Sequence, residues 1–191
     1  RILRHSRLYK VLNSTGIRAK MESTRRCLAL RDMPTVRTRY HTGAGDRKVI
    51  YKYRSLERKN GEEPPWISVE YQIDKGVGAD HSAILQIPQP LEKGQVFEIY
   101  HDLELVNAFA SRNEWVTLVV EYPTECFHLE VILPSERKLL GSRCEESEGA
   151  SNTFNKRRVF PNKISNTGQY SLVWENDFPV TGRSYTLFWD W

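Results

Sequence analysis

Five histidines and three cysteines are the side chains here best suited to proton transfer, nucleophilic attack or metal ligation. Two histidines sit beside an aspartate, as Asp80-His81 and His101-Asp102. A general base oriented by a carboxylate needs contact in space, and successive strand residues point to opposite faces, so adjacency alone makes no dyad. Those two and the remaining His5, His41 and His128 are read as surface or strand-edge residues. No H-x-x-x-H, H-x-H or Cys/His cluster at ligand spacing occurs, so neither a structural metal nor a cofactor is expected.

Nucleophile signatures are equally sparse. There is no G-x-S-x-G elbow, and Cys27 stands in the basic context "TRRCLAL", where nearby positive charge would lower a thiol pKa only if the side chain were exposed. Cys27, Cys126 and Cys144 form an odd set without paired spacing, which argues against a disulfide framework and for a reducing, cytoplasmic compartment. Gly43 and Gly45 in "TGAGD" lack the spacing of a phosphate-binding loop and read as a turn. The single sequon at Asn13-Ser14-Thr15 carries little weight, and the expectation is a chain without catalytic activity.

Charge is more informative than motif. The first sixty of 191 residues hold 17 Lys/Arg against 4 Asp/Glu, and the rest hold 11 against 20, so the net +4 conceals about +13 and −9. Opposite-signed segments either fold against each other or offer separate surfaces to separate partners. Candidate partner-binding residues are Arg18, Lys20, Arg25, Arg26, Lys156, Arg157, Arg158 and the terminal Trp191, which is expected to fray into solvent. The favoured partner is a protein or a second copy. The alternative is nucleic acid bound by the Arg-rich first forty residues, although only Tyr9 and Tyr40 could stack on bases there.

The elements that must position these residues read as strands, because apolar and polar residues alternate at period two. "SYTLFWDW" aligns Tyr185, Leu187, Trp189 and Trp191, and "GQYSLVWEN" aligns Tyr170, Leu172 and Trp174, giving an expected terminal hairpin. "EWVTLVVEYP" is apolar on both faces at its start and predicts a central strand. "CFHLEVILP", "VFEIYHDLELV", "SAILQIP", "WISVEYQID" and "KVIYKYRS" complete the strands after Gly45. Residues 141–158 are almost devoid of apolar side chains and predict a mobile surface loop. "RLYKVLNSTGIRAKMES" reads as a hairpin turning at Asn13 to Gly16, with a short helix followed by a strand as the alternative.

The stretch "NTGQYSLVW" resembles the tyrosine-corner region of immunoglobulin-like sandwiches, with Asn166, Gly168 and Tyr170 at the motif positions and Leu172 where antibody-type domains carry a core cysteine. The resemblance implies an all-β, antiparallel β-sandwich of immunoglobulin-like or fibronectin-like architecture without the inter-sheet disulfide, carrying an N-terminal basic hairpin or short helical extension. The expected organisation is a basic segment over residues 1–45 packing on a sandwich over 46–191. The strand order also resembles accessory domains of multidomain bacterial proteins, which implies a module that contacts or regulates an upstream domain. The opening Arg1 fits a piece of a larger polypeptide. No apolar run approaches the length of a membrane span, and the charged first decad lacks a signal-peptide core, so no membrane partner is expected.

Overall fold

The computed structural model describes residues 1–41, 49–57, 64–75, 80–148 and 152–191. The turn expected around Gly43 and Gly45 lies outside them. Among the described residues every regular element is a strand: β1 (Ile2–Val11), β2 (Arg18–Leu28), β3 (Met33–His41), β4 (Val49–Ser55), β5 (Ile67–Ser68), β6 (Tyr71–Lys75), β7 (Asp80–Leu91) and β8 (Val96–Val106). The series continues with β9 (Asn113–Val119), β10 (Thr124–Leu133), β11 (Gly141–Glu148), β12 (Asn152–Arg158), β13 (Asn162–Lys163), β14 (Tyr170–Asp177) and β15 (Ser184–Asp190). They build three open sheets, ordered β13-β14-β10-β1-β2-β8-β4-β5, β12-β11-β15-β9 and β3-β7-β6.

The first hairpin forms because β1 and β2 each alternate strictly and the turn between them suits its residues. Gly16 takes a φ of 72°, and its N–H donates to the Asn13 carbonyl at 3.1 Å. The hairpin reading therefore holds for residues 1–28 and the helical alternative does not. Residues 1–45 were expected to pack on a sandwich; β1 and β2 instead occupy the middle of the largest sheet, between β10 and β8. A second correction concerns strand direction. β1 runs parallel to β10, with His5 opposite Phe127 and Tyr9 opposite Val131, so the large sheet is mixed and not purely antiparallel.

The core lies between the inner face of the large sheet and the two smaller sheets. Leu129, Val131, Leu103, Leu172 and Trp174 on the large sheet meet Leu118, Tyr185, Leu187 and Trp189 from the four-stranded sheet, all buried. Trp174 and Phe127 lie edge-on or tilted to Tyr185, with ring centroids 5.2 and 4.8 Å apart. Burying an aromatic side chain of this size contributes roughly 1.5–3 kcal/mol, so this contact anchors the layers.

Three further expectations are corrected. β14 and β15 are not a terminal hairpin: β14 pairs with β10 in the large sheet and β15 with β9 and β11 in the four-stranded one, so the segment between them changes layers. β9 is an edge strand, not a central one, and its second apolar face is exposed. Residues 141–158, expected as a mobile loop, contain the antiparallel pair β11–β12. Apolar alternation is missing there and the backbone ladder does the pairing; across it Glu145 meets Lys156 at 3.0 Å, while Arg143 stands opposite Arg158.

Candidate binding surface

The strand register of the four-stranded sheet places Trp115, Phe188, Arg143 and Arg158 side by side, one from each of β9, β15, β11 and β12. All four belong to the face turned away from the core, since the alternate residues Val116, Leu187 and Cys144 are buried. Trp115 is 59% exposed. The Arg143 guanidinium stacks over the Phe188 ring at 4.2 Å from its centroid, which fixes the cation above an aromatic floor. The next row continues with Thr117 and Thr186, whose hydroxyls are 2.9 Å apart, then Glu145 and Lys156.

At the β12 end of this surface a cleft of about 300 Å³ is lined by Ser142, Arg143, Lys156, Arg157, Arg158 and Asp190. Glu145 accepts from Arg143 Nε at 2.8 Å and from Lys156 Nζ at 3.0 Å, and these two cations hold its carboxyl below the ordinary value. Arg157 donates from Nε to the Cys144 sulfur at 3.3 Å and lies over the Trp174 ring, while Arg158 is exposed. Neither Arg157 nor Arg158 faces a carboxylate within ion-pair distance among the described residues. Four cations against Glu145 and Asp190 leave the cleft positive by about two charges.

The N-terminal cations have a different fate. Lys20 pairs with Glu22 at 2.9 Å and Asp102 at 3.2 Å, which raises its pKa well above the usual lysine range, the Glu22 bond contributing most. Arg26 and Arg54 converge on the buried Glu98, bonding Oε1 at 2.8 Å and Oε2 at 2.6 Å. Arg1 meets Glu125 at 2.7 Å. Arg18, exposed at the start of β2, has its backbone N–H bound to Asn13 Oδ1 at 3.3 Å. Arg25 is not a surface contact: its guanidinium turns inward, where burial first and the neighbouring Arg7 second lower its pKa to about 10.

Arg7 and Arg25 belong to a polar seam where the three sheets meet. Arg7 Nη1 donates to the Thr117 carbonyl of the four-stranded sheet at 3.1 Å, and Arg25 Nη1 donates to Thr38 Oγ1 of the three-stranded sheet at 3.1 Å. His5 accepts from or donates to Ser23 Oγ at 3.2 Å, and His101 lies beside Tyr51, its ring centroid 5.6 Å from the tyrosine's. Burial, then the arginine charges, pushes both imidazoles well below their ordinary pKa, so they are neutral. The same burial pushes the Cys27 thiol up to about 11, so this cysteine is not activated.

Among the histidines whose side chains are described, His128 has its pKa raised. It lies 3.3 Å from Glu130 and 2.8 Å from Glu175 on the outer face of the large sheet, and the Glu130 bond leads in raising its pKa. Asp80 and His81 lie at the start of β7, and their side chains are outside what is described, as is that of His41. Trp191 is a correction: only 8% exposed, it donates from Nε1 to the Ser111 carbonyl at 2.9 Å beneath the Arg137 guanidinium. Among the described residues no group of three or more His, Cys, Asp or Glu is placed to hold a metal ion, and no helix is long and apolar enough to cross a membrane.

The structure thus joins Lys156, Arg157 and Arg158 in one cleft and separates them from Arg18, Lys20, Arg25, Arg26 and Trp191. Sequence reasoning missed Trp115, Phe188 and Arg143. Their signal was present: Trp115 breaks a strand whose other parity, Val116 and Leu118, already supplies a full core face, and Phe188 is the apolar exception in "SYTLFWDW".

No family model matches the chain, and no curated protein matches it by sequence. Solved structures do. A two-domain M1 zinc metallopeptidase mutant bound to L-tryptophan aligns at a TM-score of 0.54 and 10% identity, covering 97% of this chain and 42% of that one. The M1 zinc metallopeptidase from Deinococcus radiodurans aligns at a TM-score of 0.52 and 11% identity, covering 97% and 41%. The chain spans about two fifths of the length of these neighbours, and at such identity the likeness is one of fold: an all-β arrangement that occurs as part of a multidomain M1 metallopeptidase.

Proposed function

We propose that this chain is a non-catalytic β module of a larger protein, which holds a neighbouring polypeptide domain against the outer face of its four-stranded sheet. The observation that carries the reading is the row Trp115, Phe188, Arg143 and Arg158, in which a 59% exposed tryptophan adjoins a stacked Arg–Phe pair. Tryptophan and arginine dominate the energetics of protein interfaces, and a guanidinium already fixed on a ring loses less entropy on docking. The fold likeness to a part of two-domain metallopeptidases supports an accessory role. The immunoglobulin-like reading keeps only the turn before Tyr170 in its favour, where Gly168 has a φ of 67°.

The nucleic-acid alternative keeps only part of its N-terminal footprint, because Lys20, Arg26 and Arg1 are paired and Arg7 and Arg25 point inward, which leaves Arg4, Lys10, Arg18 and Arg31 exposed. The interaction reading is tested by hydroxyl-radical footprinting of the natural full-length polypeptide beside residues 1–191 alone. Oxidation of Trp115 and Phe188 drops severalfold in the longer protein if the face is covered. Equal oxidation in both, with protection elsewhere on the module, contradicts the assignment.

A further inference from the structure

β12 is the terminal strand of its sheet, and it is already paired on one side with an acidic strand. Its partner β11 carries Glu145, Glu146 and Glu148. The pair Glu145 to Lys156, directly across the ladder at 3.0 Å, shows how a carboxylate on an adjacent strand meets a β12 cation. On the other side of β12 no strand follows among the described residues. That open edge carries Lys156, Arg157 and Arg158, of which Arg157 and Arg158 have no carboxylate within ion-pair distance among the described residues, and it borders the positive cleft of about 300 Å³.

From this we infer that β12 is a strand-addition site for an extended acidic peptide segment of a partner protein. Resting on the interaction reading above, it names the partner's chemistry. Backbone hydrogen bonds along β12 would supply sequence-independent affinity, and alternating side chains would supply selectivity. Lys156 and Arg158 share one face of the strand and Arg157 the other, so carboxylates two residues apart on the added segment meet Lys156 and Arg158. The residue between them lies on the side of Arg157, whose guanidinium is 5.8 Å from the Trp174 ring centroid. The recognised pattern therefore carries acidic residues at alternate positions of an extended segment. Charge complementarity selects this occupant: a basic segment would face two uncompensated guanidinium groups, and β11 already shows an acidic neighbour accommodated.

The test is fluorescence polarisation with a labelled octapeptide of alternating Glu and Val, added to residues 1–191 at low salt. Binding is expected, weakened at least tenfold by Arg158→Glu, whose exposed position leaves the thermal melt of the protein unchanged. A peptide of the same sequence N-methylated at every residue keeps its charge and has no N–H to give to a ladder on either edge, so it is expected to bind at least tenfold more weakly. A Lys-for-Glu peptide is expected not to bind. Equal binding of the N-methylated peptide overturns strand addition, and equal binding of the Lys peptide overturns the charge rule. A single-stranded oligonucleotide that outcompetes the peptide, or self-association abolished by Arg158→Glu, assigns the edge to another occupant and overturns the proposal. Should the peptide fail while Trp115 is protected in the full-length polypeptide, this inference falls and the accessory-module reading stands.

Discussion

Arg25 of β2 reaches across the interior to the Thr38 hydroxyl of β3 at 3.1 Å, and with the Tyr71 hydroxyl of β6, which donates to the Val49 carbonyl of β4 at 3.2 Å, that bond ties the largest sheet to the smallest. Thr38 is buried at 1% exposure, so its hydroxyl depends on this partner. Removing one side of a buried hydrogen bond costs about 1–3 kcal/mol. Arg25→Ala and Thr38→Val are each expected to lose at least this much in urea unfolding, since each leaves the other side of the bond in place, a buried hydroxyl in the first and a buried guanidinium N–H in the second. Both variants within about 0.5 kcal/mol of the parent would show that the seam does not hold the sheets together.

The seam also explains what the sequence could and could not reveal. Period-two alternation identified the strands because each buries one face, and Leu129, Val131, Leu172 and Trp174 stand buried as that pattern requires. Sheet membership was not legible: Trp174 and Trp189 show the same local pattern, yet their strands belong to different sheets, because pairing depends on partners far along the chain. The basic N-terminus misled in a related way. Its inward cations, Arg7 and Arg25, occupy apolar parity positions between His5 and Tyr9 or Ser23 and Cys27, which charge counting alone treats as surface. In the binding surface, Lys156, Arg157 and Arg158 were legible as charge, whereas Trp115 and Phe188 needed the register.

pH dependence follows from three histidines. His5 and His101 are neutral in the fold, with native pKa values pushed below the ordinary 6.5 by burial and by Arg25 and Arg7. The unfolded chain takes up protons there first, so their influence is absent well above pH 6.5 and destabilises progressively as the pH falls below it. His128 has the opposite sign: its raised native pKa adds stability that is complete below 6.5 and disappears as the pH climbs through the raised value. The melting temperature is expected to drop between pH 7 and pH 5, and His128→Gln is expected to deepen that drop. A melting temperature that rises on acidification in the His128→Gln variant would contradict the burial of His5 and His101.

Gly16 cannot be replaced without moving the backbone. A Cβ at its φ of 72° would sit within the Phe109 carbonyl, and Phe109 N–H donates to the Gly16 carbonyl at 3.0 Å. Gly16→Ala is expected to cost roughly 1–3 kcal/mol or more, read as a lowered denaturation midpoint. Gly94→Ala provides the control, since its φ of 92° is strained but open space surrounds it. Equal losses for the two would mean that the Phe109 contact is absent.

Thiol chemistry separates the cysteines by depth. Cys27, with a pKa of about 11, is expected to react with iodoacetamide at pH 8 only as the protein unfolds, so urea should accelerate its alkylation by orders of magnitude. Mass-spectrometric labelling rates at this site with and without urea check the point. Rapid native labelling of Cys27 would show that the end of the first hairpin is open to solvent.

The contact face itself is probed most directly by photo-crosslinking from the sheet. Benzoylphenylalanine placed at the position of Trp115 in the natural full-length polypeptide is expected to crosslink to residues outside 1–191, while the same probe at Leu8, on the outer face of the large sheet, is not. Crosslinks from Leu8 and none from Trp115 would place the partner on the opposite side of the module and contradict the assignment.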